Sequence, residues 1–304
     1  MPKTDIKSLS AALIVNTRSR RGADLFDQAL NTLKAESFNL TAVYPVKHPA
    51  ELIATVERAL SEGAELIILG SGDGTVSEVV DALAHHKAIL GFLPLGTTNN
   101  FVRTLSIPLT VDGAIKTLHT GKVAKVGLGL VDDDYFANVS AIGLSASIAK
   151  MVTNTQKRWL GRFAYLITGI RAIARQKPFK ATLKSAEGTL KNISAWQIVI
   201  ANGKFHAGRE LSKGAHIAKE RLTVYYVEGT SRWQLISALV GYWLGIDAQL
   251  KHVTYFETSS IEILTDPMQR LEIDGELKAE TPVRVRLAPA ALKVIVPDHF
   301  NDEH

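Results

Sequence analysis

The stretch Leu66-Ile67-Ile68-Leu69-Gly70-Ser71-Gly72-Asp73-Gly74-Thr75 carries a short apolar run straight into a glycine-rich turn, and a helical pattern follows it. A run this short, closed by glycine, suits a strand covered on both faces better than a buried helix. The design recurs downstream, where Ile89 to Leu93 leads into Pro94-Leu95-Gly96-Thr97-Thr98-Asn99-Asn100. Both turns are therefore expected at the carboxyl edge of one parallel sheet, the edge at which open α/β sheets bind ligands. Glycines without Cβ let backbone N–H groups approach phosphate oxygens, and a following helix N-terminus adds unpaired donors and partial positive charge. The pair predicts an anionic, phosphate-bearing ligand.

The alternation extends outward on both sides. Strands are expected near Ala11 to Val15 and Leu40 to Tyr44, and helices near Ala23 to Ala35, Pro49 to Ser61, Thr75 to His85 and Val111 to Thr120. Beyond Lys122 the pattern turns to β-like runs at Tyr135 to Val139, Trp196 to Ala201, Leu222 to Val227, Val253 to Phe256, Ser260 to Leu264, Leu271 to Ile273 and Val283 to Leu287. The expected fold class is α/β plus β: a doubly wound parallel α/β lobe and a second antiparallel, sandwich-like lobe. The last apolar run, Leu292 to Val296, is expected to return to the first lobe. This places residues 1–128 with 289–304 in the α/β domain and residues 129–288 in the β domain.

Composition agrees with a well-buried globular chain, since 46% of the 304 residues are hydrophobic and 21% charged. With no cysteine, disulfides, thiolate metal sites and cysteine nucleophiles are excluded. Met1 to Ser10 is polar and lacks the apolar core of a signal peptide, so a cytoplasmic location is expected. The net charge of +5 is unevenly spread: Tyr135 to Ala186 holds no Asp or Glu but carries Lys150, Lys157, Arg158, Arg162, Arg171, Arg175, Lys177, Lys180 and Lys184. Within it, Trp159 to Ile173 reads as a basic amphipathic helix, suited to peripheral docking on an anionic membrane surface at the inner face or, equally, to packing on the second lobe. Trp233 to Ile246 is apolar nearly all round but shorter than the roughly 20 residues of a membrane span, so a core or interface helix is expected and no transmembrane segment. No helix-turn-helix, zinc or RNP pattern accompanies the basic stretch, which argues against nucleic acid.

Several side chains carry chemistry. Asp73, between two glycines at a strand end, can face a metal, a substrate hydroxyl or a terminal phosphate. Thr75 and Glu78 have the spacing of a capping box, which would satisfy orphan amides with or without a ligand. Thr97, Thr98, Asn99 and Asn100 supply small donors suited to ribose or phosphate. After the first strand, Asn16-Thr17-Arg18-Ser19-Arg20-Arg21-Gly22 can bring guanidinium groups to the same edge. Asp274-Gly275 is a hairpin signal in its own right.

The two turns resemble the Gly-Gly-Asp-Gly-Thr and Pro-Leu-Gly-Thr-x-Asn-Asp-Phe-x-Arg signatures of the diacylglycerol kinase catalytic family, which includes bacterial lipid kinases and sphingosine and ceramide kinases. Phe101 and Arg103 also match, and the resemblance continues through Asn138 to Gly143, Leu160-Gly161, Asn202 and Asp274-Gly275-Glu276. It implies an ATP- and Mg2+-dependent lipid kinase with its active site between an NAD kinase/diacylglycerol kinase-like nucleotide lobe and a β-sandwich lipid lobe. Glu276 would be the base that takes the proton of the lipid hydroxyl, with Asp73 as the magnesium and phosphate organiser. Asp274 and Glu78 would support them. Nucleotide contacts would come from Asn16, Arg18, Ser71, Gly72, Asp73, Gly74, Thr75, Gly96, Thr97, Asn99 and Asn100.

The chain departs from the family pattern in places. The first glycine of the first signature is Ser71, the acid that usually follows Asn99 is Asn100, and a further family aspartate aligns with Gly127. The segment that usually supplies a structural magnesium ligand reads Lys219-Glu220-Arg221-Leu222-Thr223, and a lysine there disfavours that metal site. Asp132, Asp133 and Asp134 suit a solvated turn, which leaves Asp73, Asp274 and Glu276 as the main carboxylates. The competing readings are a noncatalytic lipid- or nucleotide-binding protein on the same scaffold and an NAD kinase, which shares the first turn. No Asn-Glu pair of the kind NAD kinases use for adenosine is present, and no G-x-x-x-x-G-K-[ST] P-loop exists. Neither the lipid nor the oligomeric state is encoded in a recognisable motif.

Overall fold

The computed structural model describes residues 5–17, 22–48, 51–151, 173–203, 205–206, 209–210, 217, 220–244 and 252–301. The chain divides into two compact units, one of Met1–Leu128, Gly203–Glu220 and Ala288–His304, the other of Gly129–Asn202 and Arg221–Leu287. Arg18, Lys219 and nearly all of the segment Trp159 to Ile173 lie outside the described residues.

The first unit runs β1 (Ala11–Asn16), α1 (Gly22–Ala35), β2 (Leu40–Val46), α2 (Leu52–Ser61), β3 (Leu66–Ser71), α3 (Asp73–Leu83), β4 (Ile89–Pro94), α4 (Asn100–Thr104) and α5 (Val111–Thr120). Its sheet is parallel in the order β2-β1-β3-β4. Every residue of β3 and β4 is buried, which is why these strands read as unbroken apolar runs rather than alternating ones. The order of strands reverses between β1 and β3, the chain stepping out to β2 on one side and to β4 on the other, so the switch point of the sheet lies where these two parallel strands leave it. Helix α2 illustrates what holds the layers. Ten residues are marginal as a helix alone, but Leu52, Val56 and Ala59 fall on one buried face, and burying a Leu or Val side chain stabilises by about 1.5–3 kcal/mol.

Helix α3 begins earlier than the sequence pattern suggested. Gly72 occupies the N-cap position and Thr75 is already the third helical residue, buried, with its N–H on the Gly72 carbonyl at 3.1 Å. Thr75 and Glu78 therefore do not form a capping box, because the cap lies three residues upstream of Thr75. The helix also ends at Leu83 rather than His85, since Ala84 leaves the helical region with ψ 126° and His85 follows with a positive φ of 58°. Helix α5 has the bounds expected, with Thr110 accepting from the Gly113 N–H at its start. The short helix α4 was missed because five residues cannot show a helical period.

Strand β5 (Lys122–Val131) passes from the first unit into the second at Gly129 and turns through Asp132-Asp133 into β6 (Asp134–Phe136), and β7 (Val139–Gly143), α6 (Leu144–Met151), β8 (Phe179–Ser185) and β9 (Gly188–Ala201) follow. The run expected as one strand from Tyr135 to Val139 is thus broken at Ala137-Asn138, where the backbone amides leave the ladder for a side chain described below. The hairpin of β10 (Phe205–His206) and β11 (Arg209–Glu210) belongs to the first unit. The chain then forms β12 (Leu222–Glu228), a helix at Arg232–Leu244, β13 (Val253–Thr258), β14 (Ser260–Asp266), β15 (Arg270–Ile273), β16 (Glu276–Glu280) and β17 (Val283–Val296).

Among the described residues of the second unit, the strand pairs formed by β6 to β9 and β12 to β16 are antiparallel. Strand β9 changes partners along its length: its first half pairs with β8, its second with β7 on one edge and β12 on the other. The two layers meet over a core that includes Phe136, Ile142, Phe179, Leu183, Ile198, Ile200, Val224, Ile261, Ile263 and Val285, giving an antiparallel β-sandwich. In β8, Phe179, Ala181 and Leu183 point inward while Lys180 and Lys184 face out, and Lys184 meets Glu262 at 3.2 Å. Part of the basic stretch is thereby neutralised across the strand pair. In the helix Arg232–Leu244, Leu235 is fully buried against Leu144, Trp196 and Val227, whereas Trp233 is 77% exposed.

Strand β17 belongs to both units. Val283 to Arg286 pair with β14, and Val294 lies parallel beside Leu90 of β4, so the last apolar run does return to the parallel sheet. Residues 203–220, assigned from sequence to the β domain, cluster instead with the first unit. Gly203 lies against the Thr104 side chain, β10 packs on α4, and the Glu220 carboxylate accepts the Ala290 N–H at 2.9 Å. Nothing in the composition of that segment marks the excursion.

Candidate functional site

The parallel register places the three loops together. Val15 pairs with Gly70, and Gly70 and Ser71 pair with Leu93 and Pro94. The chain therefore leaves β1 at Asn16, β3 at Gly72 and β4 at Leu95 along one edge. The Leu95 N–H donates to the Ser71 carbonyl at 2.9 Å, extending the β3–β4 contact into the turns. Where the two turns cross main chain to main chain, both contribute glycine. A Cβ on Gly96 would stand 2.6 Å from the Gly72 Cα and 2.5 Å from the Asn99 Oδ1, so only hydrogen fits there. A Cβ on Gly74, by contrast, would meet nothing within 4 Å. The space over the first turn of α3 is open.

Asn99 shapes the second turn. It takes φ +48° and is buried, its Oδ1 accepting the Gly96 N–H at 3.0 Å and its Nδ2 donating to the Gly96 carbonyl at 2.9 Å. Its amide is thus committed to the loop itself, as an Asn in the left-handed region commonly is. Ser71 and Thr75 are buried, Thr97 is exposed, and Asn16 and Asn100 are half-buried. Glu78 is half-buried on α3.

Asp73, first residue of α3, joins the two turns. The Thr98 hydroxyl donates to its Oδ2 at 2.7 Å and the Phe101 N–H to its Oδ1 at 3.2 Å. The carboxylate sits at the amino end of its own helix and caps the short α4 as well, where negative charge is favoured. In α3 the amides of Thr75 and Val76 both turn to the Gly72 carbonyl, so those of Asp73 and Gly74 precede any intrahelical acceptor. A carboxylate beside an open, glycine-lined helix N-terminus suits a phosphate group with its countercation. Two acceptor positions of the Asp73 carboxylate remain beyond its donors among the described residues. That fits Mg2+, which commonly takes one or two carboxylates with substrate phosphates and water. Among the described residues no group of three His, Cys, Asp or Glu side chains forms an all-protein metal cage.

In the second unit Asp274 and Gly275 form the two-residue turn between β15 and β16, both at positive φ (45° and 98°), and Ile273 pairs with Glu276. That is the primed hairpin turn the Asp-Gly dipeptide signals. The Asp274 carboxylate does more than turn the chain. It accepts the backbone N–H groups of Ala137 at 2.9 Å, Asn138 at 3.2 Å and Val139 at 2.8 Å, while its own N–H donates to the Val139 carbonyl. This pins the break between β6 and β7 to the turn that presents Glu276, which is exposed at the start of β16. Asp132 and Asp133 form a surface turn, and Asp134 meets Lys278 of β16 at 3.0 Å.

Sequence reasoning named Thr98 only as one small donor among several and could not foresee its bond to Asp73. No local signal says which hydroxyl reaches a carboxylate 25 positions away. The commitment of Asp274 to three amides was likewise invisible, because its partners lie more than a hundred residues upstream.

With this geometry stand the similarities to known proteins. The diacylglycerol kinase catalytic domain matches residues 10–131, and the YegS C-terminal NAD kinase beta sandwich-like domain matches residues 137–296. A protein named diacylglycerol kinase from Staphylococcus epidermidis is 26% identical over 299 residues, covering 96% of this chain and 94% of its own. One of the same name from Staphylococcus aureus is 26% identical over 300 residues, with the same coverage. The crystal structure of a diacylglycerol kinase from Bacillus anthracis superposes with a TM-score of 0.77 at 24% identity, covering 94% of this chain and 96% of that one. It shares the two-part architecture.

Proposed function

Because the chain belongs to the family that joins a diacylglycerol kinase catalytic domain to a YegS-type C-terminal β-sandwich domain, we propose that it is a lipid kinase, transferring the γ-phosphate of ATP to a hydroxyl of a membrane lipid such as diacylglycerol. The observation that carries this reading is the Asp73 carboxylate, held by Thr98 and Phe101 where the two glycine turns meet at the edge of the parallel sheet. Phosphoryl transfer asks a protein mainly for positioning and charge stabilisation, and those turns supply both. The nucleotide phosphates lie over Gly72, Gly74 and Gly96, with Asn16, Thr97 and Asn100 on the same edge, and Arg18 supplies a guanidinium charge to them. Mg2+, held by Asp73 and the phosphates, would neutralise charge on the transferred group. Glu276 accepts the proton of the lipid hydroxyl as its oxygen bonds to the γ-phosphorus and the bond to the bridging oxygen of ADP breaks.

No helix among the described residues is long and apolar enough to cross a membrane. The protein reaches its lipid peripherally, at an anionic surface on the cytoplasmic side, and the acid-free stretch Tyr135 to Ala186 favours that approach. The neutral Asn100, where the family pattern has an acid, supports a second reading: a noncatalytic protein that binds lipid or nucleotide. Incubation with [γ-32P]ATP, Mg2+ and a mixed lipid extract separates the two. A labelled lipid is expected, and no labelled lipid across pH and metal conditions would leave the binding reading in possession.

A further inference from the structure

We propose that Thr98 is a positioning residue that aims the Asp73 carboxylate, with Arg103 securing Thr98 in turn; this rests on the kinase reading above. Among the described residues each Asp73 oxygen takes one donor, Oδ2 from the Thr98 hydroxyl and Oδ1 from the Phe101 N–H, both from the second turn. A single bond would leave the terminal torsion of an aspartate free to swing, since that torsion is broad. Two bonds, one to each oxygen, fix it.

The donors are themselves anchored. Phe101 is fully buried, edge-on to Phe92 of β4 with ring centroids 5.4 Å apart, so its N–H is tied to the core. Thr98 is exposed and has no such anchor of its own. Its position comes from the loop: Asn99 closes on Gly96 behind it, and the Arg103 Nε–H donates to its carbonyl at 2.8 Å. Thr98 fills a place the family signature leaves open, whereas the acid that the signature puts after Asn99 is here the neutral Asn100. With that neighbouring charge gone, the direction of the Asp73 carboxylate decides how well it meets a cation.

The test is equilibrium binding of a fluorescent ATP analogue, titrated with Mg2+ and repeated in EDTA, for the parent, Thr98→Val and Thr98→Ser. Outer partners that orient a metal-binding side chain are commonly worth about 10- to 100-fold in metal affinity. Thr98→Val should therefore need about 10- to 100-fold more Mg2+ for half-maximal enhancement of binding, while its affinity in EDTA stays that of the parent. Thr98→Ser, which keeps the hydroxyl, should titrate like the parent. A merely structural Thr98 would instead weaken binding equally with and without Mg2+, and that result, or a Thr98→Val titration identical to the parent's, overturns the assignment. If the parent shows no Mg2+-dependent nucleotide binding, the kinase reading falls and takes this inference with it. If the parent binds and Thr98→Val follows it, only the role of Thr98 is lost.

Discussion

Gly74 and Gly96 should respond in opposite directions to the same added methyl group. At Gly96 the new Cβ would be driven to 2.6 Å from the Gly72 Cα and 2.5 Å from the Asn99 Oδ1. The first neighbour is main chain and cannot swing aside. The second can move only by giving up its two bonds to the Gly96 backbone. Overpacking of this kind costs about 1–3 kcal/mol, which for a domain of 150–250 residues lowers the melting temperature by about 2–12 °C. At Gly74 a Cβ meets nothing within 4 Å, and the residue lies inside α3. There Gly74→Ala removes unfolded-state freedom and should stabilise by about 0.4–1 kcal/mol, a rise of about 1–4 °C. The methyl group would, however, stand where phosphate oxygens are proposed to approach. Thermal unfolding in the absence of nucleotide, followed by nucleotide binding, reads both effects. Gly96→Ala should melt early and bind poorly; Gly74→Ala should melt late and bind poorly. A Gly96→Ala protein as stable as the parent would refute the backbone-contact argument, and a Gly74→Ala protein with parental nucleotide affinity would place the phosphates elsewhere.

Glu276→Gln should lower kcat by about 10²- to 10⁴-fold, the usual share of general-base catalysis, with little change in nucleotide affinity; parental turnover would sink its assignment as the base. Asp274→Ala should unfold at lower denaturant concentration, because three backbone N–H groups lose a charged acceptor and hydrogen bonds to charged groups are worth about 1.5–3 kcal/mol each. Urea titration gives that difference, and an unchanged midpoint would show the nest to be dispensable. On the surface of the first unit, hydrogen bonds from the Tyr44 hydroxyl at 2.6 Å and then the Arg58 Nε at 2.8 Å hold the Glu62 carboxyl below its ordinary range. A depressed folded value means that the stabilisation is complete above the unfolded carboxyl range and is lost as pH falls through the lower folded one. NMR titration of Glu62 should show Tyr44→Phe moving its midpoint upward, and no movement would rule out the Tyr44 hydroxyl as the principal cause.

The amino-acid sequence by itself determined the parallel lobe, because buried parallel strands must be apolar throughout and their glycine turns are local signals. Leu66 to Leu69 and Ile89 to Leu93 could hardly be anything else, and the bounds of α5 follow from Thr110 and Gly121 at its two ends. The antiparallel character of the second lobe was legible in the alternation of its strands and in the Asp274-Gly275 turn. The start of α3 was not, since glycine as a cap leaves no side-chain signature and Thr75 offered a more conspicuous but false one. Nor was strand β8 recognised, or the membership of residues 203–220 in the first unit, which rests on contacts of Gly203 with Thr104 and of Glu220 with Ala290 that no periodicity records. Within the candidate site, residue types announced the chemistry but not the partnerships. The sequence places Asp73 between glycines; only the β3–β4 register brings Thr98 and Phe101 to its two oxygens. The sequence likewise marks Asp274 as a turn residue, while folding commits its carboxylate to three amides more than a hundred residues away. Local patterns are written in neighbouring residues, and a hydrogen bond between distant ones exists only once the sheet has set its register.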